Sequence, residues 1–333
     1  MGIRIFICKF AKELKQIPVM KSRRTEIVGF DSLMSRVASR KTRSRMAVVW
    51  PADDHTQEAL CEALRLNLVD AVLVGCREEL QRNGELMAFG SHVQLMEAGN
   101  ADEAAVKAVE LVRKGEAQIL MKGLINTDNL LRVVLNKETG ILPKGNLMTH
   151  TTAALLPSLS RLVFFTDPAV MPYPTPEQRL KQVGYMVELC HKVGISEPRI
   201  ALVHCTEKVN ERHFPFTASY VDIVGKSKEG LWGPCIIDGP LDVKTAIDAE
   251  ALRVKGINSP LEGRADVLIF PDIVSANVFY KAISLFGGVE TAAMLVGTEA
   301  PVVLTSRGDS MQTKLYSIAL ASLTSVPDVA EDE

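Results

Sequence analysis

Short β-branched and apolar runs alternate with longer amphipathic stretches along most of the chain. Runs at 47–50, 70–75, 93–96 and 117–121 predict strands, and the stretches 56–67, 78–83 and 102–114 predict helices. Within 102–114 the apolar residues Ala105, Val106, Val109 and Val112 fall at helical spacing. A further helix is predicted over 127–135, opening with a Thr127-Asp128 cap. The second half repeats the style, with strands at 161–165, 199–204, 235–237, 265–270, 291–296 and 301–304. Its helices are predicted at 176–192, 275–286 and 311–323. Pro176 opens the first of these and Gly194 follows its end, while Gly287-Gly288 close the second. Such alternation implies a parallel sheet covered on both faces. The Pro/Thr-rich segment 167–176 and the region of Pro157 mark inter-domain geometry.

A length of 333 residues suggests two domains. With 47% apolar and 23% charged residues the composition is that of a globular chain, which excludes a disordered or collagen-like one. No run of about 18 uncharged apolar residues occurs, so a membrane-spanning helix is not expected. The net charge of −2 argues against a chain built to coat nucleic acid. Charge is uneven, however. Residues 1–45 hold twelve Lys/Arg against three Asp/Glu, a net of +9, which leaves −11 for the rest. Residues 1–25 read as an N-terminal extension of unknown role, with Met20 an alternative start. A secretory signal would need a longer apolar core. Arg40, Lys41, Arg43 and Arg45 read as solvated surface rather than a nucleic-acid contact. Six scattered cysteines without a CxxC pair look like reduced thiols of a cytoplasmic protein.

Several familiar motifs fail. No GxGxxG follows a strand, and neither HExxH nor GxSxG is present. Gly225-Lys226-Ser227 ends like a P-loop, but Tyr220 stands where its first glycine belongs. Cys190-His191 and His204-Cys205 read as core residues rather than zinc ligands, so no metal is expected. Arg307-Gly308-Asp309 spells an adhesion tripeptide by chance.

Other turns carry chemistry. In Leu304-Thr305-Ser306-Arg307-Gly308-Asp309-Ser310 an apolar strand ends, hydroxyls and a glycine form a turn, and a helix begins. Free N–H groups at a helix start, hydroxyls and one Arg suit an anion such as phosphate. The same residues also suit a Ser-capped helix whose Arg pairs with an acid. Met121-Lys122-Gly123 with Thr127 and Arg132 has the same architecture, and two such turns point to a phosphate-bearing substrate. Asn277 and Lys281, four apart beside Tyr280 and following Asp272, share a helix face that lines a cleft or meets solvent. Asp238-Gly239-Pro240-Leu241 reads as a turn after a short strand.

Together these blocks, over residues 27–324, resemble the phosphate acetyl/butyryltransferase family, and its butyryl branch most. The matching stretches are Lys122-Gly123…Thr127…Arg132, Thr149-His150, Thr166-Asp167, Asp238–Leu241, Asn277…Tyr280-Lys281-Ala282 and 301–321. The last is the most specific. The acetyl branch carries an acid one helix turn past its Ser-Arg pair, where this chain has Thr313 and Lys314.

The resemblance implies an α/β fold like the isocitrate and isopropylmalate dehydrogenases, with mainly parallel sheets and a cleft between two domains. Residues 26–155 with 295–333 would form the first domain and 156–294 the second. It implies a cytoplasmic homodimer or larger oligomer. It implies conversion of a short-chain acyl-CoA, butyryl-CoA above all, and phosphate to acyl phosphate and CoA. Neither a metal nor a permanently bound cofactor is implied. A phosphate acetyltransferase and a non-catalytic acyl-CoA-binding regulator are the alternatives. An NAD-dependent hydroxyacid dehydrogenase, which shares the implied fold, would need a metal-binding Asp cluster that is not found. Ser306, Arg307 and Arg132 are implied to be catalytic; Asp309, the nearest acid to Ser306-Arg307, is added from its position as a base, with a helix cap or an Arg partner as the alternative. Lys122, Gly123, Thr127, His150, Asp167, Asn277, Tyr280, Lys281 and Thr305 are implied to bind substrate, CoA or phosphate.

Overall fold

The computed structural model describes residues 27–306 and 308–325. Arg307 and the expected N-terminal extension lie outside the described residues. The chain opens with α1 (Phe30–Ala38), β1 (Ser44–Val49), α2 (Asp54–Arg65) and β2 (Val69–Gly75). There follow α3 (Arg77–Gln81), α4 (Gly84–Ala88), β3 (Val93–Glu97), α5 (Ala101–Arg113), β4 (Ile119–Lys122) and α6 (Thr127–Val134). The middle holds β5 (Thr149–Leu155), β6 (Leu162–Thr166), α7 (Pro176–Lys192), β7 (Arg199–Val203), α8 (Phe216–Lys228) and β8 (Ile236–Leu241). The chain closes with α9 (Val243–Ile247), α10 (Ala249–Lys255), β9 (Val267–Ile269), α11 (Ile273–Phe286), β10 (Glu290–Val296), β11 (Val302–Val303) and α12 (Met311–Ser325).

The strands join one sheet of eleven in the order β3-β2-β1-β4-β11-β10-β5-β6-β9-β7-β8. Both wings are parallel, as the alternating pattern predicts. The centre is not: β10 is antiparallel to β11 and β5, and β5 to β6. The C-terminal segment thus re-enters the sheet, placing β11 beside β4.

The two faces are covered differently. On one, α1, α2, α7, α8 and α12 pack a single continuous core along the sheet, including Phe30, Leu60, Met186, Tyr220 and Ile318. On the other, two separate cores form. One gathers α5 and α6 over β1, β2 and β4, with Val109 and Leu130. Another gathers α9, α10 and the start of α11 over β6, β7 and β9, with Phe165 and Leu268. A gap over the antiparallel centre separates them.

Some expectations need correction. Asp238-Gly239-Pro240-Leu241 is not a turn but the body of β8, with a register shift opposite Ala201–Val203 of β7. Gly239 is needed there, because a Cβ would lie 2.6 Å from Leu202 Cβ. The helix expected at 78–83 is two short helices, α3 and α4, broken at Asn83, whose side chain caps the second. Thr127 is the first residue of α6 rather than its cap, and Asn126 takes the cap position. Gly225-Lys226-Ser227 lies in the last turns of α8 and forms no loop. Arg40 donates to the Ser322 and Leu323 carbonyls at the end of α12, both at 2.7 Å. Arg43 bonds Asn67 Oδ1 at 2.5 Å. These two arginines are thus tied to the fold.

Candidate active site

A cavity of about 390 Å³ fills the gap between the two smaller cores. Its walls come from both wings of the sheet and its floor from the antiparallel centre. Lys122 ends β4 on the face shared with buried Leu120, and its Nζ donates to the Gly123 carbonyl at 3.3 Å. Gly123 is required by close approach, since a Cβ would sit 2.5 Å from the Val49 carbonyl oxygen. It shapes the turn while Lys122, Ile125, Asn126 and Thr127 line the cavity. Thr127 therefore brings the N-terminus of α6, where unpaired N–H groups favour an anion. Arg132 lies further along α6, exposed and outside the lining.

The turn after β11 supplies Leu304, Thr305, Ser306 and Asp309. It is tightly tied. Asp309 Oδ2 accepts the Ser306 N–H at 2.6 Å, and Ser306 Oγ accepts the Gly308 N–H at 3.4 Å. Ser310 caps α12 through the Thr313 N–H at 3.2 Å. Lys314, buried on α12, reaches up from the opposite face of the sheet. Its Nζ donates to Thr305 Oγ1 at 3.3 Å and to the Ser306 carbonyl at 3.2 Å. Sequence reasoning passed over Lys314 as a departure from the acetyl branch. The signal was there: a lysine that is the single charged residue of the helix 311–325.

From the other wing come His150, Pro168, Ala169, Asn277, Tyr280 and Lys281. Asp272 caps α11, accepting the Ser275 N–H at 2.8 Å, which sets the helix that carries the last three. Asn277 Nδ2 donates to the Pro168 carbonyl at 2.9 Å. Lys281 Nζ sits 4.9 Å from the centre of the Tyr280 ring. Burial, and then the charge of Asp309, push the Tyr280 phenol up, so it stays protonated as a donor. Asp167 does not line the cavity. Its Oδ2 accepts from Thr149 Oγ1 at 2.8 Å and the His150 N–H at 2.9 Å. Its Oδ1 accepts the Ala169 N–H at 2.9 Å and the Val170 N–H at 2.8 Å. With four local donors engaged, it pins β5 to the loop after β6.

Nine of the expected residues thus meet around one cavity: Lys122, Thr127, His150, Asn277, Tyr280, Lys281, Thr305, Ser306 and Asp309. Residues 90–322 match the family model described as phosphate acetyl/butaryl transferase. The chain belongs to that family. A phosphate butyryltransferase of Clostridium beijerinckii is 37% identical over 295 residues, covering 88% of this chain and 97% of the relative. A phosphate acetyltransferase of Thermotoga maritima is 36% identical over 280 residues, covering 84% of this chain and 94% of the relative. A solved branched-chain phosphotransacylase from Enterococcus faecalis V583 superposes with a TM-score of 0.76 at 27% identity, covering 85% of this chain and 99% of that one. A 4-hydroxythreonine-4-phosphate dehydrogenase from Klebsiella pneumoniae shares the fold alone, with a TM-score of 0.52 at 11% identity over 86% of this chain and 99% of that one. As a member of the phosphate acetyl/butaryl transferase family the chain is a phosphate acyltransferase, with CoA and phosphate as substrates and no permanent cofactor implied. Among the described residues no helix is long and apolar enough to cross a membrane.

Proposed function

We propose that the chain moves a short acyl group between CoA and phosphate at this cavity, and that butyryl is preferred over acetyl. The observation that carries the reading is the pairing of phosphate-friendly groups with apolar ones in a single space. Lys122, Lys281 and the hydroxyls of Thr127, Thr305 and Ser306 share it with Ile125, Leu304, Ala169 and Ala293. A phosphate oxygen attacks the thioester carbonyl, negative charge develops on the carbonyl oxygen, and collapse releases the CoA thiolate. Two anions must be brought together and a third charge stabilised, work suited to fixed cations and N–H donors. Ser306 and Arg307 hold phosphate or the oxyanion. Lys122 and Thr127 contact phosphate or the thiol end of CoA, with Arg132 adding its charge from further along α6. Asn277, Tyr280 and Lys281 line the acyl side, while Gly123 and Asp167 shape the turns.

The lobes of this reading are residues 26–155 with 295–333 and residues 156–294, with the cavity between them. The enzyme is read as a cytoplasmic homodimer. An exposed face on α11 supports the dimer: Val274, Val278, Leu285 and Phe286 are 56%, 64%, 76% and 85% exposed. Free Cys61, Cys76, Cys190, Cys205 and Cys235 support a reducing compartment.

CoA release from acetyl-, propionyl-, butyryl- and isobutyryl-CoA, with and without phosphate, tests the activity. Release should depend on phosphate. The kcat/KM for butyryl-CoA should exceed that for acetyl-CoA about tenfold, since a methylene in an apolar pocket is worth ~1–3 kcal/mol. A ratio at or below one favours the acetyltransferase reading, and binding without turnover favours the regulator.

A further inference from the structure

His150 is buried at 6% exposure and lines the cavity. Its Nδ1 is closed to solvent and meets no hydrogen-bond partner among the described residues. Its main chain is the opposite case. The N–H donates to Asp167 Oδ2 at 2.9 Å and the carbonyl accepts from Thr166 Oγ1 at 2.8 Å. Alternation along β5 decides where the ring goes. Thr149 points to the α7 side, where its hydroxyl accepts from Gln182 at 3.1 Å, so His150 points to the cavity side. A buried polar atom without a partner is costly in a native fold and calls for an explanation.

We propose that His150 carries the proton that the reaction moves between phosphate and the CoA thiol. The proposal rests on the phosphate acyltransferase reading and names a catalytic residue within it. In the direction of acyl phosphate, a phosphate oxygen bonds the carbonyl carbon, the carbon–sulfur bond breaks, and the thiolate leaves with the electron pair. The hydroxyl proton of phosphate passes to the imidazole and then to sulfur. The ring ends neutral, as it began, and no other reactant is needed.

The charges around the ring suit this cycle. Burial holds the imidazole below the usual histidine range, so it is neutral and able to accept a proton at pH 7. Asp167 and Asp309 pull the other way and favour a transient imidazolium. Lys122 and Lys281 line the same cavity and disfavour a lasting one, while Tyr280 stays a neutral phenol. Asp309, the base suggested by its position beside Ser306-Arg307, already has Oδ2 on the Ser306 N–H. In this proposal it holds the turn and faces the ring.

The test is acylation of CoA from butyryl phosphate between pH 6.5 and 9, in wild type and His150→Gln. A thiol of pKa about 8.5 is only about 3% thiolate at pH 7. With His150 as base the wild-type rate is flat from pH 7 to 8. The variant depends on preformed thiolate, so its rate climbs about tenfold per pH unit toward 8.5. At pH 7 it lies ~10²–10⁴-fold below wild type. Its KM for butyryl phosphate stays within about threefold, because the phosphate contacts are elsewhere. A folded variant with the wild-type rate and profile overturns the proposal. His150→Asn is a second variant if the first does not fold. If neither folds, a wild-type rate that itself climbs tenfold per unit from pH 7 to 8 overturns it, and a flat one supports it. No phosphate-dependent turnover in the wild type defeats the functional reading and this proposal together, and it is seen before any variant is made.

Discussion

Arg307 follows Ser306 in the most specific block of the chain. Its guanidinium can grip two phosphate oxygens at once, a planar fork that Lys lacks. Losing an aimed donor on a developing anion costs ~10²–10³ in kcat. Arg307→Ala should fall by at least that much with an unchanged Tm, and Arg307→Lys should not restore turnover. A purely structural Arg would lower Tm and spare kcat, so both are measured on one variant; near-normal turnover at wild-type stability rejects the phosphate-site role. Beneath this turn lies a contact that residue types alone could not announce. Lys314 sits eight residues past Ser306, yet its Nζ reaches the Ser306 carbonyl because α12 folds back under β11. His150 was marked only by resemblance. Nothing in Thr149–Thr152 says that a ring nitrogen, His150 Nδ1, is left without a partner.

At the scale of elements, α11 presents Asn277, Tyr280 and Lys281 to the cavity, and Asp272 starts it. Asp272→Ala removes the cap on Ser275 N–H, which costs ~1 kcal/mol of stability. Because the helix start then frays, KM for acyl-CoA should rise severalfold while kcat changes by less than about twofold. Loss of Tm with both constants unchanged would detach this face from binding. Most helices and wing strands were legible, because each buries one stripe or one run of apolar residues. The helix at 176–192 is found with the expected bounds, from Pro176 to Lys192. β5 was not legible: Thr149, Thr151 and Thr152 look like a polar loop, yet the strand is buried almost throughout. Of its hydroxyls only that of Thr149 finds tertiary partners among the described residues, Asp167 and Gln182, while those of Thr151 and Thr152 are buried without one. α8 escaped for a related reason, its apolar positions being interrupted by Thr217, Ser219 and Asp222.

For the whole molecule, two measurements bear on size and assembly. Residues 1–19 match no family block, so their deletion should leave kcat/KM unchanged; a large loss in a folded, soluble deletion would overturn this. Val278→Glu with Leu285→Glu should shift the proposed dimer toward monomer in light scattering, and an unchanged mass would remove α11 from the interface. Sequence alone determined the α/β class and the parallel wings, since periodicity, capping residues and glycine placement are local properties. It also determined the family, because ordered blocks spread over most of the chain are too many to coincide. Only the tertiary structure decided that β5, β10 and β11 run as an antiparallel centre between the wings. Strand pairing joins residues more than a hundred positions apart, such as His150 and Leu295, and no local pattern encodes it. That pairing leaves one face of the sheet without a helix at its middle. The cavity, the buried His150 ring and the reach of Lys314 all follow from that gap and from what packs behind it.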